Sequence, residues 1–170
     1  MNSVGGFGIA NVDIIFGNAD RIPKLGDEIY TPSCFKQLGG GVVATLIQLS
    51  RLGVPVKLAT YIGNGSLSKY LVKKLEKEKI EYINMLSTDE EDPVTLSCIV
   101  SCEQDRGIVS YKPKEEAFRV DSKKIYEFYK DCKIAFLSLE QKEFCKSLKE
   151  AGCIIVLDSA WNDMLSLEWY

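Results

Sequence analysis

The sequence predicts an α/β fold built on a mostly parallel sheet, and three observations predict it. Short apolar strand segments alternate with amphipathic helix segments along most of the 170 residues. Glycines and capping residues punctuate the boundaries. Two stretches break the alternation, residues 28–36 and a hairpin within 95–111, and read as a small separate sheet.

Residues 4–16 read as strand material around glycines, followed by a turn-rich stretch over 17–27 with Pro23 and Gly26. Gly39-Gly40-Gly41 opens a helix in which Val42, Leu46 and Leu49 share a face, and Gly53 stops it. A strand is expected over 56–62. The next helix, capped by Asn64 or Ser66, carries the stripe Leu67, Tyr70, Leu71 and Leu75. Strands are expected over 81–86, 95–102 and 107–111. Asp121 caps a helix with Ile125, Phe128, Tyr129 and Cys132 on one face. A strand over 134–137, a helix over 141–150 ended by Gly152, and a strand over 154–157 complete the pattern. The final segment holds Trp161, Trp169 and Tyr170, whose apolar surface is costly to leave in water, and reads as a domain cut midway.

Composition narrows the function classes. The apolar fraction of 46% and charged fraction of 26% are those of a globular domain. A net charge of −3 gives no footprint for nucleic acid or an anionic membrane. The lysines between Lys69 and Lys79 are interrupted by Glu76 and Glu78, as on a solvated helix face rather than a phosphate-binding patch. No apolar run approaches the roughly 20 residues a membrane span needs, and no basic-then-apolar leader opens the chain. Cytoplasmic residence is the expectation. The six cysteines form no C-x-x-C pair, and the chain has no histidine. They read as small buried thiols of a reducing compartment, and histidine-based triads, metal sites and general bases are excluded.

Two places carry candidate chemistry. Gly39, Gly40 and Gly41 permit close backbone approach, and the following helix presents unpaired N–H groups. Such a turn binds an anion or a polyhydroxyl ligand, or else packs helix tightly on sheet. Asn11 and Asp13 lie two apart on a strand and so point to one face. An amide beside a carboxylate can hold a sugar diol, and an Asp can equally cap a turn. Gly6-Phe-Gly8-Ile-Ala-Asn11 lacks the third glycine and the helical continuation of a dinucleotide fingerprint, which rules out a Rossmann-type phosphate loop here.

The order Asn11-Val-Asp13, Gly26-Asp27, Gly39-Gly40, Leu52-Gly53 and Gly63 resembles the N-terminal half of the ribokinase-like (PfkB-type) carbohydrate kinases. The spacing from the double glycine through Arg51-Leu52-Gly53 to Ile62-Gly63 is similar to that family's first signature, and the hairpin after Pro93-Val94-Thr95 fits as well. The resemblance implies a ribokinase-like parallel-sheet core with helices on both faces plus a small β-lid. It implies that Asn11, Asp13, Gly39 and Gly40, with Glu140 as a further contact, hold a sugar or nucleoside. It also implies ATP and Mg2+ for the complete enzyme, none of either for this chain alone, and a homodimer formed through the lid. Two positions depart from the pattern: Ala44 stands where the family has Asn, and Asn64 where it has an acidic residue. The family's Asn-x-x-Glu and Gly-Ala-Gly-Asp motifs, which supply metal organisation, base and anion hole, do not occur in these 170 residues. Asp158 alone reads as a strand-end cap. The expected activity is therefore sugar binding without phosphoryl transfer, and the alternative is a non-catalytic sugar- or nucleoside-binding or dimerising module.

Overall fold

A computed structural model describes residues 3–114, 118–138 and 144–158. The order of elements is β1 (Val4–Phe7), β2 (Asn11–Ala19), β3 (Ser33–Gly39), α1 (Gly41–Arg51), β4 (Val56–Thr60), α2 (Ser66–Lys77), β5 (Glu81–Asn84), β6 (Thr95–Cys102), β7 (Arg106–Tyr111), α3 (Ser122–Tyr129), β8 (Ile134–Ser138), α4 (Cys145–Glu150) and β9 (Ile154–Asp158). Five strands form a parallel sheet in the order β5-β4-β1-β8-β9. Four form a second, mixed sheet in the order β3-β2-β6-β7. Among the described residues no helix is long and apolar enough to cross a membrane.

Strand β1 shows why helices cover both faces of the parallel sheet. All four of its residues are buried. Val4 belongs to the core that includes Val42, Val43 and Leu46 of α1 and Leu71 and Leu75 of α2. Phe7 belongs to the core that includes Ile125 and Tyr129 of α3 and Leu148 of α4. The intervening glycines bring the helices close: a Cβ on Gly6 would lie 2.7 Å from Val42, and one on Gly5 would lie 2.5 Å from the Tyr129 ring. The same alternation continues in β4, where Leu58 faces α1 and α2 while Ala59 faces α3. Strands buried on both faces read as near-continuous apolar runs, as these do.

The Tyr129 hydroxyl ties α3 to two strands of the parallel sheet. It donates to the Gly6 carbonyl and accepts from the Ala59 N–H at 2.7 Å, bridging β1 and β4 from α3. Burial in this apolar layer pushes its pKa well above the usual tyrosine value.

The second sheet is made of two insertions. One, β2 and β3, leaves the carboxyl end of β1 before α1 begins, and the other, β6 and β7, follows β5 before α3. Its central strands β2 and β6 run parallel, while β3 and β7 pair antiparallel at the edges. The strand read from sequence over 4–16 is thus two strands in two sheets. The chain leaves β4 and β8 as partners at Phe7 and takes β3 and β6 from Asn11 onward. The strand expected over 28–36 is shifted to 33–39, because its pairing with β2 extends to Asn11 opposite Gly39.

Helix α2 corrects a cap. Neither Asn64 nor Ser66 closes its N-terminus; Gly65 is the N-cap, and the Asp92 carboxylate accepts from the Leu67 N–H at 3.2 Å and the Ser68 N–H at 2.7 Å. Asp121 does cap α3, accepting from Lys124 N–H at 3.0 Å. The cysteine reading is corrected too. Cys132 and Cys153 are buried, but Cys34 and Cys98 are exposed, on the face of the second sheet that carries Ile14 and Phe16.

Candidate functional site

The parallel sheet fixes where a ligand can sit. Strand β1 lies at its centre, and the chain lays β4 and β5 on one side before returning to place β8 and β9 on the other. Crevices beyond the carboxyl ends of strands at such a reversal are the usual ligand positions of open α/β sheets. Residues 8–10 leave β1 at that end and lead directly into Asn11.

Four of the sequence-predicted residues meet there. Asn11 and Asp13 start β2 rather than end a strand, and they project to one face of the second sheet. Asn11 stands opposite Gly39, and Asp13 opposite Gln37 on β3 and Ser97 on β6. The Asn11 side-chain amide donates to Asp13 Oδ1 at 2.5 Å and to Ser97 Oγ at 3.1 Å. The Ser97 and Ser110 hydroxyls are 2.9 Å apart, extending the polar row onto β7. Glu140, the fifth expected contact, lies outside the described residues.

The glycines are required by this geometry. A Cβ at position 39 would collide with the Asp13 carboxylate and lie 3.3 Å from the Asn11 amide nitrogen. Gly40 has φ +88°, and a Cβ there would also lie 2.8 Å from the Ile9 carbonyl oxygen. Helix α1 starts one residue later without a side-chain cap on Gly40. Asp158, at the carboxyl end of β9, reaches the same turn: its Oδ2 is 2.8 Å from where a Cβ on Gly41 would stand.

Burial raises the Asp13 carboxyl above its ordinary value, opposed by the hydrogen bond from Asn11. The result is a half-buried carboxylate with one oxygen held by an amide and the other turned over the glycine turn. Carboxylate, amide and two hydroxyls on one face can accept from and donate to the hydroxyls of a polyol. Asn64, by contrast, is exposed at the start of α2 and makes no contact with this cluster. Asp27 is engaged elsewhere, accepting from Arg21 and from the Lys24 N–H, which lowers its pKa.

Sequence reasoning missed Ser97, Ser110 and Gln37. Ser97 carried a signal, being a polar residue inside the apolar run Leu96 to Val100, and it is now 6% exposed. Ser110 and Gln37 carried none, since only the strand register brings them beside Asp13.

The fold is shared with solved sugar-kinase structures. A ribokinase from Thermotoga maritima matches 98% of this chain and 55% of its own at 20% identity, with a TM-score of 0.70. A PfkB protein from Polaromonas sp. matches 99% of this chain and 60% of its own at 14% identity, with a TM-score of 0.76. An Arabidopsis thaliana ribokinase, solved with ribose and ATP, matches 96% of this chain and 55% of its own at 17% identity, with a TM-score of 0.70. The chain therefore has the ribokinase-like α/β fold, and it spans little more than half the length of these structures. No family model matches the sequence, and no curated protein matches it.

Proposed function

We propose that this chain is the sugar-binding part of an ATP-dependent carbohydrate kinase. The single observation that carries the reading is the cluster at the carboxyl end of β1, where Asn11, Asp13 and Ser97 face a backbone turn that tolerates only glycine at 39 and 40. A sugar or nucleoside diol would lie over that turn, accepted by Asp13 and held by the Asn11 amide. The solved relative that holds ribose and ATP supports the substrate class, as do the sugar-kinase folds around it. Glu140 would add a contact from the segment after β8. The second sheet would serve as a lid over the ligand.

In this reading the base and anion hole for phosphoryl transfer come from the family motifs that do not occur in these 170 residues, and ATP and Mg2+ would bind with those groups in a complete enzyme. Among the described residues no group of three or more acidic or cysteine side chains could hold a metal ion. The chain's own contribution is to bind and orient the sugar. Calorimetry with pentoses, hexoses and nucleosides tests this. Saturable binding that falls at least about tenfold in Asp13→Ala is expected, the loss of a charge-assisted hydrogen bond being worth that much. Binding unchanged by Asp13→Ala overturns the site, and steady sugar phosphorylation by the 170 residues alone overturns the division of labour.

A second reading has its own observation. One row across the second sheet, Phe35, Ile15, Ile99 and Ile108, is apolar and lies on the same face as Asp13. Phe35 and Ile108 are about half exposed, at 49% and 48%. Such a row favours a dimerising module in which two lids face each other. Sedimentation of the intact chain decides it: a dimer that Ile108→Asp converts to monomer supports this reading.

A further inference from the structure

A polar cavity lies beside the Asn11–Asp13 cluster, at the junction of β3, α1 and α2. It measures about 130 Å³ and is lined by Gln37, Ala44, Gln48, Arg51, Lys74 and Glu78 over an apolar floor. One water needs roughly 10–15 Å³ on the same measure, so the space admits a small polyatomic ligand. Its position follows from Ala44: a methyl group on the first turns of α1 leaves open what a longer side chain would fill.

The charges around it favour an anion. Arg51 gives its Nε and one terminal nitrogen to Glu78 at 2.9 and 2.5 Å, which neutralises Glu78 and leaves the other terminal nitrogen of Arg51 uncommitted. Lys74 lines the cavity, makes no salt bridge among the described residues beyond a longer-range attraction to Glu78, and holds its ammonium 5.4 Å from the centre of the Tyr70 ring. Lys36, from β3, stands over the same ring at 4.2 Å, and among the described residues it makes no ion pair. Two ammonium groups from different elements thus converge on one aromatic side chain. The ring quadrupole attracts each of them but does not neutralise either. Among the described residues the Gln37 and Gln48 side chains find no hydrogen-bond partner, and they supply neutral donors at the same wall.

We propose that this cavity is an oxyanion site, binding a phosphate or carboxylate group through Lys74, Arg51, Gln37 and Gln48, with Lys36 adding its charge from across the Tyr70 ring. The lysines of α2 read from sequence as a solvated face; what changes their meaning is the arrival of Lys36 and Arg51 from elements far along the chain. The site lies one strand from Asp13, because Gln37 is the register partner of that residue. The group it holds is either a free oxyanion or the acidic substituent of the ligand seated at Asn11 and Asp13.

Titration of the 15N-labelled chain with inorganic phosphate tests the proposal. Saturable shifts at the Gln37 and Gln48 side-chain amides are expected, with affinity falling about tenfold in Lys74→Met and by a similar factor in Lys36→Met, as for loss of a charge-assisted contact. Both lysines lie at the protein surface, and an unchanged far-ultraviolet spectrum confirms that each variant folds. Absence of saturable shifts at about 50 mM phosphate, or saturation unaffected by both variants, overturns the site. A pentose and its phosphate ester then separate the sources. An ester that binds more than tenfold tighter than either phosphate or the pentose places the anion on the sugar ligand; an ester that binds like phosphate makes the site a separate effector site. Asp13→Asn must leave phosphate binding intact, so failure of the sugar site and failure of this one are read separately.

Discussion

The two sheets of this protein are made from similar residues and used differently. In the parallel sheet, β1 is buried throughout and its alternate residues feed two helix layers. In the second sheet, only the base reaches a core: Val12 is fully buried, while Ile14, Ile15 and Phe16 further along β2 are partly exposed. A strand with helices on both faces is fixed by packing and can spare little for chemistry. A strand with one wet face can place Asn11, Asp13 and Ser97 where a ligand reaches them. Stability and recognition are separated by which sheet a residue enters, and the chain switches between them within three residues of Phe7.

The largest expected contrast compares apolar truncations. Leu58→Ala, in a fully buried β4 position, should cost about 2–5 kcal/mol in denaturant unfolding, while Ile99→Ala in the second sheet should cost less than about 1.5 kcal/mol. Equal losses would break the comparison and mean that the second sheet is a structural core of its own. Next in size is Tyr129→Phe. It removes the hydroxyl that bridges Gly6 and Ala59 and leaves a buried N–H without its partner, at a cost of about 1–3 kcal/mol. A smaller loss would show that the β1–β4 ladder closes directly once the hydroxyl is gone.

The smallest effect has the opposite sign. The Asp13 carboxyl is raised above its ordinary 3.8 by burial, so folding favours its protonated form. Ionisation therefore lowers stability as pH rises from the unfolded value through the folded one, and the cost is fully present at neutral pH. Asp13→Asn should raise the melting temperature slightly at pH 7, with the gain vanishing below about pH 3.8. The same substitution should weaken sugar binding. Stabilisation with lost binding marks a residue kept for function; destabilisation at pH 7 would mark Asp13 as part of the structure.

Much of the fold was legible in the sequence because its signals are local. The stripe Leu71 and Leu75 and the cap Asp121 each depend on residues within a few positions, and the structure places them as expected. The hairpin β6–β7 was legible for the same reason, since a turn of three residues joins two alternating runs. The proposed site was legible in its halves: an amide and carboxylate two apart, and a glycine turn before a helix, which the structure brings together.

What sequence alone determined was therefore the α/β class, the helices, the hairpin and the residue types able to hold a polyol. Tertiary structure decided the rest, for reasons of register and distance. It split residues 4–16 between two sheets, because ladder partners far along the chain, at β4 and β8 or at β3 and β6, fix where one strand ends. It capped α2 with Asp92 from a loop 25 residues on, and it set Gly39 beneath Asp13 and Ser97 beside it. It also brought Arg51 and Lys74 to one cavity and Lys36 over the same tyrosine ring as Lys74. Local propensity carries no information about such meetings, since they arise only when the apolar faces of separate elements are buried against one another.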